Sequence, residues 1–309
     1  MGSDPLVGAV PAPVWSLILG QFGSACVLAA IVLQVLTTVL WLVTPSRPKV
    51  EIWAKRTFSL GCFAYFLALG AVITLFVNDQ FQFKYVFGHG AVDNELQYKI
   101  AGTWSGQEGS FLLWGTMSAL FGVIVAPFTR SYRRWFTIAY APFLASVAAI
   151  LAYESPFFLR PLVDGVAMMP KTGQGMPPSL MNYWVVIHPP TIFAGFGSLT
   201  VLFAFAVAAL VTKNLEDWIA LVRPWALISL GLLGVGLAMG GFWAYETLGW
   251  GGFWAWDPVE NASLVPWLTL VAGLHVMLIA KSTGHSLKEA FILITITFLL
   301  ILYLSLIHI

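Results

Sequence analysis

The run Trp15-Ser-Leu-Ile-Leu-Gly-Gln-Phe-Gly-Ser-Ala-Cys-Val-Leu-Ala-Ala-Ile-Val-Leu-Gln-Val-Leu-Thr-Thr-Val-Leu-Trp-Leu-Val43 carries no charged residue. It exceeds the roughly 20 apolar residues that cross a bilayer as a helix. Further runs of spanning length fall near 57–77, 109–128, 135–153, 184–212, 224–244 and 263–280, and an eighth begins near 289. None alternates with period two. A backbone in lipid must satisfy its own N–H and C=O groups, so the runs read as helices. Composition agrees: 59% of the 309 residues are hydrophobic and 9% charged, where soluble chains carry about 25% charged residues. The expected fold is an all-α polytopic membrane protein with seven complete transmembrane helices and a truncated eighth.

The connecting loops sort by charge. The odd-numbered loops hold Arg47, Lys49, Lys55, Arg56, Arg130, Arg133, Arg134, Lys213, Arg223, Lys281 and Lys288, against Lys84, Lys99, Arg160 and Lys171 on the other side. The positive-inside rule then puts the odd loops in the cytoplasm and the N-terminus outside. The net charge of +1 excludes a nucleic-acid-binding bias. Cys26 and Cys62 lie inside apolar runs and read as packing residues. Without a Cys-x-x-Cys or Cys-x-x-Cys-His, the chain has no thiol pair for disulfide exchange and cannot attach a c-type haem to itself. No basic region followed by a short apolar core opens the chain, so no cleavable signal peptide is expected. Residues 1–14 read as an external tail and 15–303 as one membrane domain.

Three external segments are more than connectors. Residues 78–104 alternate Phe81, Phe83, Tyr85 and Phe87 with Gln82, Lys84 and Val86, which predicts a short strand or an interfacial wedge. Residues 154–183 are rich in proline and glycine and read as irregular. The third, 245–262, leads into Trp250-Gly-Gly-Phe-Trp254-Ala-Trp256-Asp257-Pro258-Val-Glu260-Asn261-Ala-Ser263. Gly251 and Gly252 let the backbone approach a flat ligand. Trp250, Trp254 and Trp256 offer broad apolar faces for stacking. Asp257 and Glu260 fall at the start of the next helix, where its dipole favours acids. The bland alternative is an aromatic belt, but a belt scatters its tryptophans over several helix ends, and here three fall within seven residues.

This segment resembles the tryptophan-rich "WWD" signature of haem-handling proteins, a group containing the CcmF haem lyases, the CcmC haem-delivery proteins and the CcsA-type cytochrome c synthases. Phe253 departs from it where the signature often has another tryptophan. Two further segments resemble CcmF in particular. They are Tyr98-Lys-Ile-Ala-Gly-Thr-Trp104-Ser-Gly106-Gln-Glu108-Gly109-Ser110-Phe-Leu-Leu-Trp114 and Val186-Ile-His188-Pro189-Pro190-Thr-Ile-Phe-Ala-Gly195-Phe. The likeness runs from about residue 15 to 303. It implies covalent attachment of haem to apocytochrome c, which adds two cysteine thiols across the haem vinyl groups. It places haem, delivered as substrate, at the external face with His188 as an axial iron ligand, and a transmembrane haem b on His275. Implied partners are a CcmE-like haem chaperone, apocytochrome c, thioredoxin-like or CcmH-like scaffold subunits and quinol as electron donor. The implied location is the bacterial inner membrane, with the haem site periplasmic.

The residues bear on these roles unequally. His188 shares the external side with the tryptophan loop, and the two prolines after it stiffen the start of its helix. His275 stands among Leu, Val and Met inside a span, where ionisable groups are by default functional and neutral imidazole is a common haem ligand. His89 reads as a loop residue and His285 as a solvated one. Glu108, between Gly106 and Gly109, could cap a helix, contact a haem propionate or line a quinone or proton path. Gly234, Gly236, Gly240 and Gly241 suit close helix packing. A CcmC-like delivery protein, a CcsA-type synthase or a transporter are the rival readings. The ending Leu304-Ser-Leu-Ile-His308-Ile309 departs from the family pattern and reads as a non-native tail. The chain is therefore expected to be the N-terminal portion of a longer one, inactive alone.

Overall fold

The computed structural model describes residues 8–215, 217–247, 249 and 251–308, with 306–308 as backbone only. In chain order its helices are α1 (Val14–Val43), α2 (Glu51–Val77), α3 (Lys84–His89), α4 (Leu96–Gly102), α5 (Gln107–Val125), α6 (Arg133–Tyr153), α7 (Trp184–Thr212), α8 (Trp218–Thr247), α9 (Pro258–Thr283) and α10 (Leu287–His308). Among the described residues, eight helices are long and apolar enough to cross a membrane, all but the short α3 and α4. Several outrun the apolar stretch that marks them. The stretch 263–280 becomes α9 over Pro258–Thr283, because the helix continues through polar residues beyond the hydrocarbon.

α7 occupies the centre, packed on α5, α6, α8 and α10, while α1 lies against α2 and α6, and α9 against α8 and α10. Close approach is built in at Gly197, where a Cβ would come within 2.7 Å of the Ser118 backbone nitrogen on α5. Buried phenols bridge helices by donating to backbone oxygens, Tyr140 to Ser118 O at 2.7 Å and Tyr132 to Asn214 O at 2.6 Å. In a dry interior such a hydroxyl must find an acceptor.

The segment 78–104 is neither strand nor interfacial wedge, correcting that expectation. It folds as α3 and α4, with Phe81, Phe83 and Tyr85 buried. Its short alternation reflects a cap packed on the helix ends. Gln82 Nε2 donates to Ser16 Oγ at 2.7 Å, and the Lys84 N–H donates to Phe158 O at 2.8 Å. His89 thus sits on α3 rather than in a loop, its ring against Tyr85. Residues 154–183 are largely irregular. Strand β2 (Met168–Met169) there pairs antiparallel with β1 (Val10–Pro11), so the N-terminal segment is held at this end of the bundle.

Candidate functional site

α7 begins at Trp184, so Pro189 and Pro190 lie inside the helix and do not set its start. Their effect is on hydrogen bonding. A proline has no N–H for the carbonyl four residues before it, so Pro189 leaves Val185 O free of a helical partner. That oxygen accepts the indole N–H of Trp104 at 2.8 Å, fastening the segment before α5 to the start of α7. His188 Nδ1 lies 3.0 Å from Gly236 O on α8. A carbonyl can only accept, so Nδ1 carries the proton and the Nε2 lone pair is left for another partner. Gly240 makes room for the ring, since a Cβ there would stand 3.0 Å from His188 Cε1. Trp243 meets the ring edge-on at 5.6 Å.

The tryptophan loop is latched by its own acids. Asp257 Oδ1 accepts the Glu260 N–H at 2.7 Å, capping the start of α9, and Glu260 Oε2 accepts the Ala255 N–H of the loop at 2.7 Å. Asn261 Nδ2 donates to Trp256 O at 3.0 Å. These bonds hold Trp256 at φ 60, a left-handed conformation costly for a side chain this large, and leave it 71% exposed. Phe253 turns away and stacks on Tyr245 at 4.4 Å. Gly251 is exposed, also with positive φ, and Gly252 is half-buried. Trp250 lies outside the described residues. Replacing Asp257 by alanine removes the cap and is expected to destabilise the protein by about 1 kcal/mol. The thermal midpoint in detergent should fall, and Asp257→Asn should restore most of it.

A cavity of about 430 Å³ lies between α5, α7, α8 and this loop. His188, Trp254, Asp257 and Glu260 all line it, so the structure brings four of the singled-out residues together. Trp104, Leu237, Gly240 and Trp243 are also in its walls. The sequence reading missed their part, although the glycine pair at 240–241 and the tryptophan two residues on were visible signals. Glu108 is elsewhere, in the first turn of α5 after the Gly106 cap and outside the cavity walls. His275 is elsewhere too. It projects from the outward face of α9, with Nδ1 donating to Val271 O at 2.8 Å. Twelve residues separate it from Ser263 in the cavity wall, about 18 Å along the helix. His285 is exposed, and the side chain of His308 lies outside the described residues.

The residues fit a flat, iron-bearing ligand. Both histidines have Nδ1 engaged by a carbonyl and Nε2 free, the arrangement that orients a metal-ligating imidazole. The Trp254 indole N–H lines the cavity without a partner. The volume falls in the range of small-molecule sites.

A multi-pass membrane bundle with an imidazole and a tryptophan loop facing one cavity defines the class, and sequence comparison assigns it. The sequence profile described as cytochrome c assembly protein matches residues 104–307, and the chain belongs to that family. It is 40% identical over 232 residues to the cytochrome c-type biogenesis protein CycK of Bradyrhizobium diazoefficiens, covering 73% of this chain and 34% of that protein. It is 33% identical over 267 residues to CcmF of Pseudomonas aeruginosa, covering 81% and 40%. A solved structure titled cytochrome c heme lyase CcmF superposes with a TM-score of 0.78 at 26% identity, over 93% of this chain and 46% of that one. The chain spans between about a third and two fifths of the length of these curated relatives.

Proposed function

We propose that this chain holds haem in the cavity beneath the tryptophan loop for covalent attachment to apocytochrome c, as a haem lyase component. The observation that carries the reading is His188, with Nδ1 engaged by Gly236 O and Nε2 left open, lining the same cavity as Trp254. In the attachment each thiol S–H adds across a vinyl C=C, forming one C–S bond and placing the hydrogen on the neighbouring carbon. No covalent nucleophile is required of the protein. Its task is orientation, which is worth many powers of ten in rate. His188 would hold the iron, and Trp254 would stack on the porphyrin from the cavity wall. Trp256, set edge-on to Trp254 and outside that wall, would stay at the loop's surface, and the Asp257–Glu260 latch would fix the loop.

His275 would hold a resident haem b in the span, supplying electrons that keep the substrate iron reduced; its engaged Nδ1 and outward Nε2 suit that role. Glu108 could still act toward a propionate or a proton path, but its place in the first turn of α5 favours capping. The partners under this reading are a CcmE-like chaperone delivering haem, CcmH-like or thioredoxin-like subunits presenting apocytochrome c, and quinol as donor. The setting is the bacterial inner membrane with the cavity on the periplasmic side. CycK and CcmF, whose names place them in cytochrome c biogenesis, support the reading.

An equilibrium titration with ferrous haem tests it. One haem per chain is expected, with affinity lowered by Trp254→Ala; equal affinity in that variant would sink the cavity assignment. The orientation is tested separately by Gly251→Cys, since Gly251 is exposed on the loop. An impermeant thiol reagent added to the periplasmic face of spheroplasts should label it. Labelling only from the cytoplasmic face would invert the topology.

A further inference from the structure

At the end of the bundle opposite the tryptophan loop, a cavity of about 400 Å³ opens between α1, α2, α5 and α6. Its apolar lining is made by Phe58, Val123, Ala126 and Pro127. The polar groups in its walls are the Trp41 indole, Lys55 and Arg133, which can only donate, and the hydroxyls of Ser59 and Thr137, the latter already donating to Arg133 O. None of the wall residues is a carboxylate. Trp41 is 4% exposed, and its indole N–H has no partner. A buried indole N–H usually finds an acceptor, and Trp41 is the one such unpartnered indole among the residues that line this cavity.

The charges point the same way. Arg133 uses two of its five N–H groups on weak 3.4 Å contacts to Thr129 Oγ1 and Pro127 O. Lys55 pairs with Glu51, one turn before it on α2, and half its side chain is exposed. With Glu51 counted, the cluster still carries one net positive charge, and Arg134 adds another beside it. Its guanidinium donates to Trp41 O at 3.1 Å. The surplus positive charge favours an acceptor bearing negative charge.

We infer that this cavity binds the phosphate of an anionic phospholipid. The rim decides for a lipid over a free anion. Val123 in its wall is exposed and apolar, as are Leu60 and Ile124, the residues next to Ser59 and Val123, which is the surface expected of a membrane-spanning bundle. The headgroup phosphate meets Trp41, Lys55 and Arg133 while its acyl chains lie along that surface. Basic pockets between helices at the cytoplasmic side recognise anionic headgroups in this way. A second basic cavity, of about 780 Å³ between α8 and α9, contains Arg223 and Lys281 but no buried donor without a partner, and it serves as the control.

Native mass spectrometry of the 309-residue chain in a neutral detergent, with dioleoyl phosphatidylglycerol or phosphatidylcholine added, tests the inference. One phosphatidylglycerol should be retained at least tenfold more strongly than phosphatidylcholine. Lys55→Gln and Arg133→Gln should each weaken retention about fivefold. Trp41→Phe, which keeps the ring and removes the N–H, should weaken it by a similar factor, and Arg223→Gln should leave it unchanged. Lys55 is a surface side chain, so its variant reads binding without threatening the fold. Equal retention of the two lipids, or retention indifferent to both Lys55→Gln and Trp41→Phe, would overturn the inference. Displacement of the lipid by millimolar inorganic phosphate would reassign the cavity to a free anion and overturn it equally.

Discussion

Replacing His188 by alanine is expected to lower the affinity for externally added ferrous haem by at least about tenfold. Losing even an outer partner of a metal ligand costs roughly 10–100-fold, and here the ligand itself is removed. The readout is the Soret band of the complex, which should lose its imidazole-ligated character. His275→Ala acts on a separate place, on the outward face of α9. It should remove any b-type absorbance that co-purifies with the protein while leaving the external titration intact. The two variants should therefore be opposite in their spectra. If each leaves both signals in place, neither histidine binds iron, and loss of the folded protein in His275→Ala alone would indicate a helix-packing role.

The largest effect on stability is expected at Gly109. A Cβ there would collide with the Thr103 carbonyl and with the Tyr85 hydroxyl. Tyr85 is fully buried, and it accepts the Gly106 N–H at 3.2 Å and donates to Thr103 O at 3.0 Å. Burial first, and the Glu108 carboxylate after it, push the phenol above its ordinary pKa, so it stays a donor. Gly109→Ala gains about 1 kcal/mol of helix propensity. It loses more, because backbone cannot yield as a side chain can and buried partners are orphaned. A net loss of about 3 kcal/mol is expected, read as a lower thermal midpoint and poorer yield. Gly70→Ala on α2 is the comparison, because a Cβ there meets nothing. It should be neutral or stabilising, and equal behaviour of the two variants would refute the steric account.

What could be read from the sequence follows from how local each signal is. The eight spans were legible because crossing a bilayer demands a long apolar run from one contiguous segment. The tryptophan loop and His188 were legible as motifs, each compact in sequence. The cap at 78–104 was not, because its fold depends on distant partners such as Ser16 and Phe158. Gly240 and Trp243 escaped for the same reason, since their place beside His188 comes from another helix. Asp257 and Glu260 stood out as acids at the start of the next helix within the haem-binding signature, and α9 does begin there. Their immediate employment, Asp257 capping the first turn of α9 and Glu260 bonding the Ala255 N–H of the loop, depends on the turn at Trp256, which carries no local signature beyond the acids themselves.

Pro189 and Trp104 deserve to be seen as one device. The proline strips an oxygen of its helical partner, and the indole from a different region takes up that oxygen. Neither residue makes sense alone. With Pro189 replaced, Val185 O would return to its helix and the indole would be stranded; with Trp104 replaced, a buried carbonyl would be stranded instead. The region before α5 and the first turns of the histidine-bearing helix are thereby joined through one oxygen that neither region could satisfy by itself.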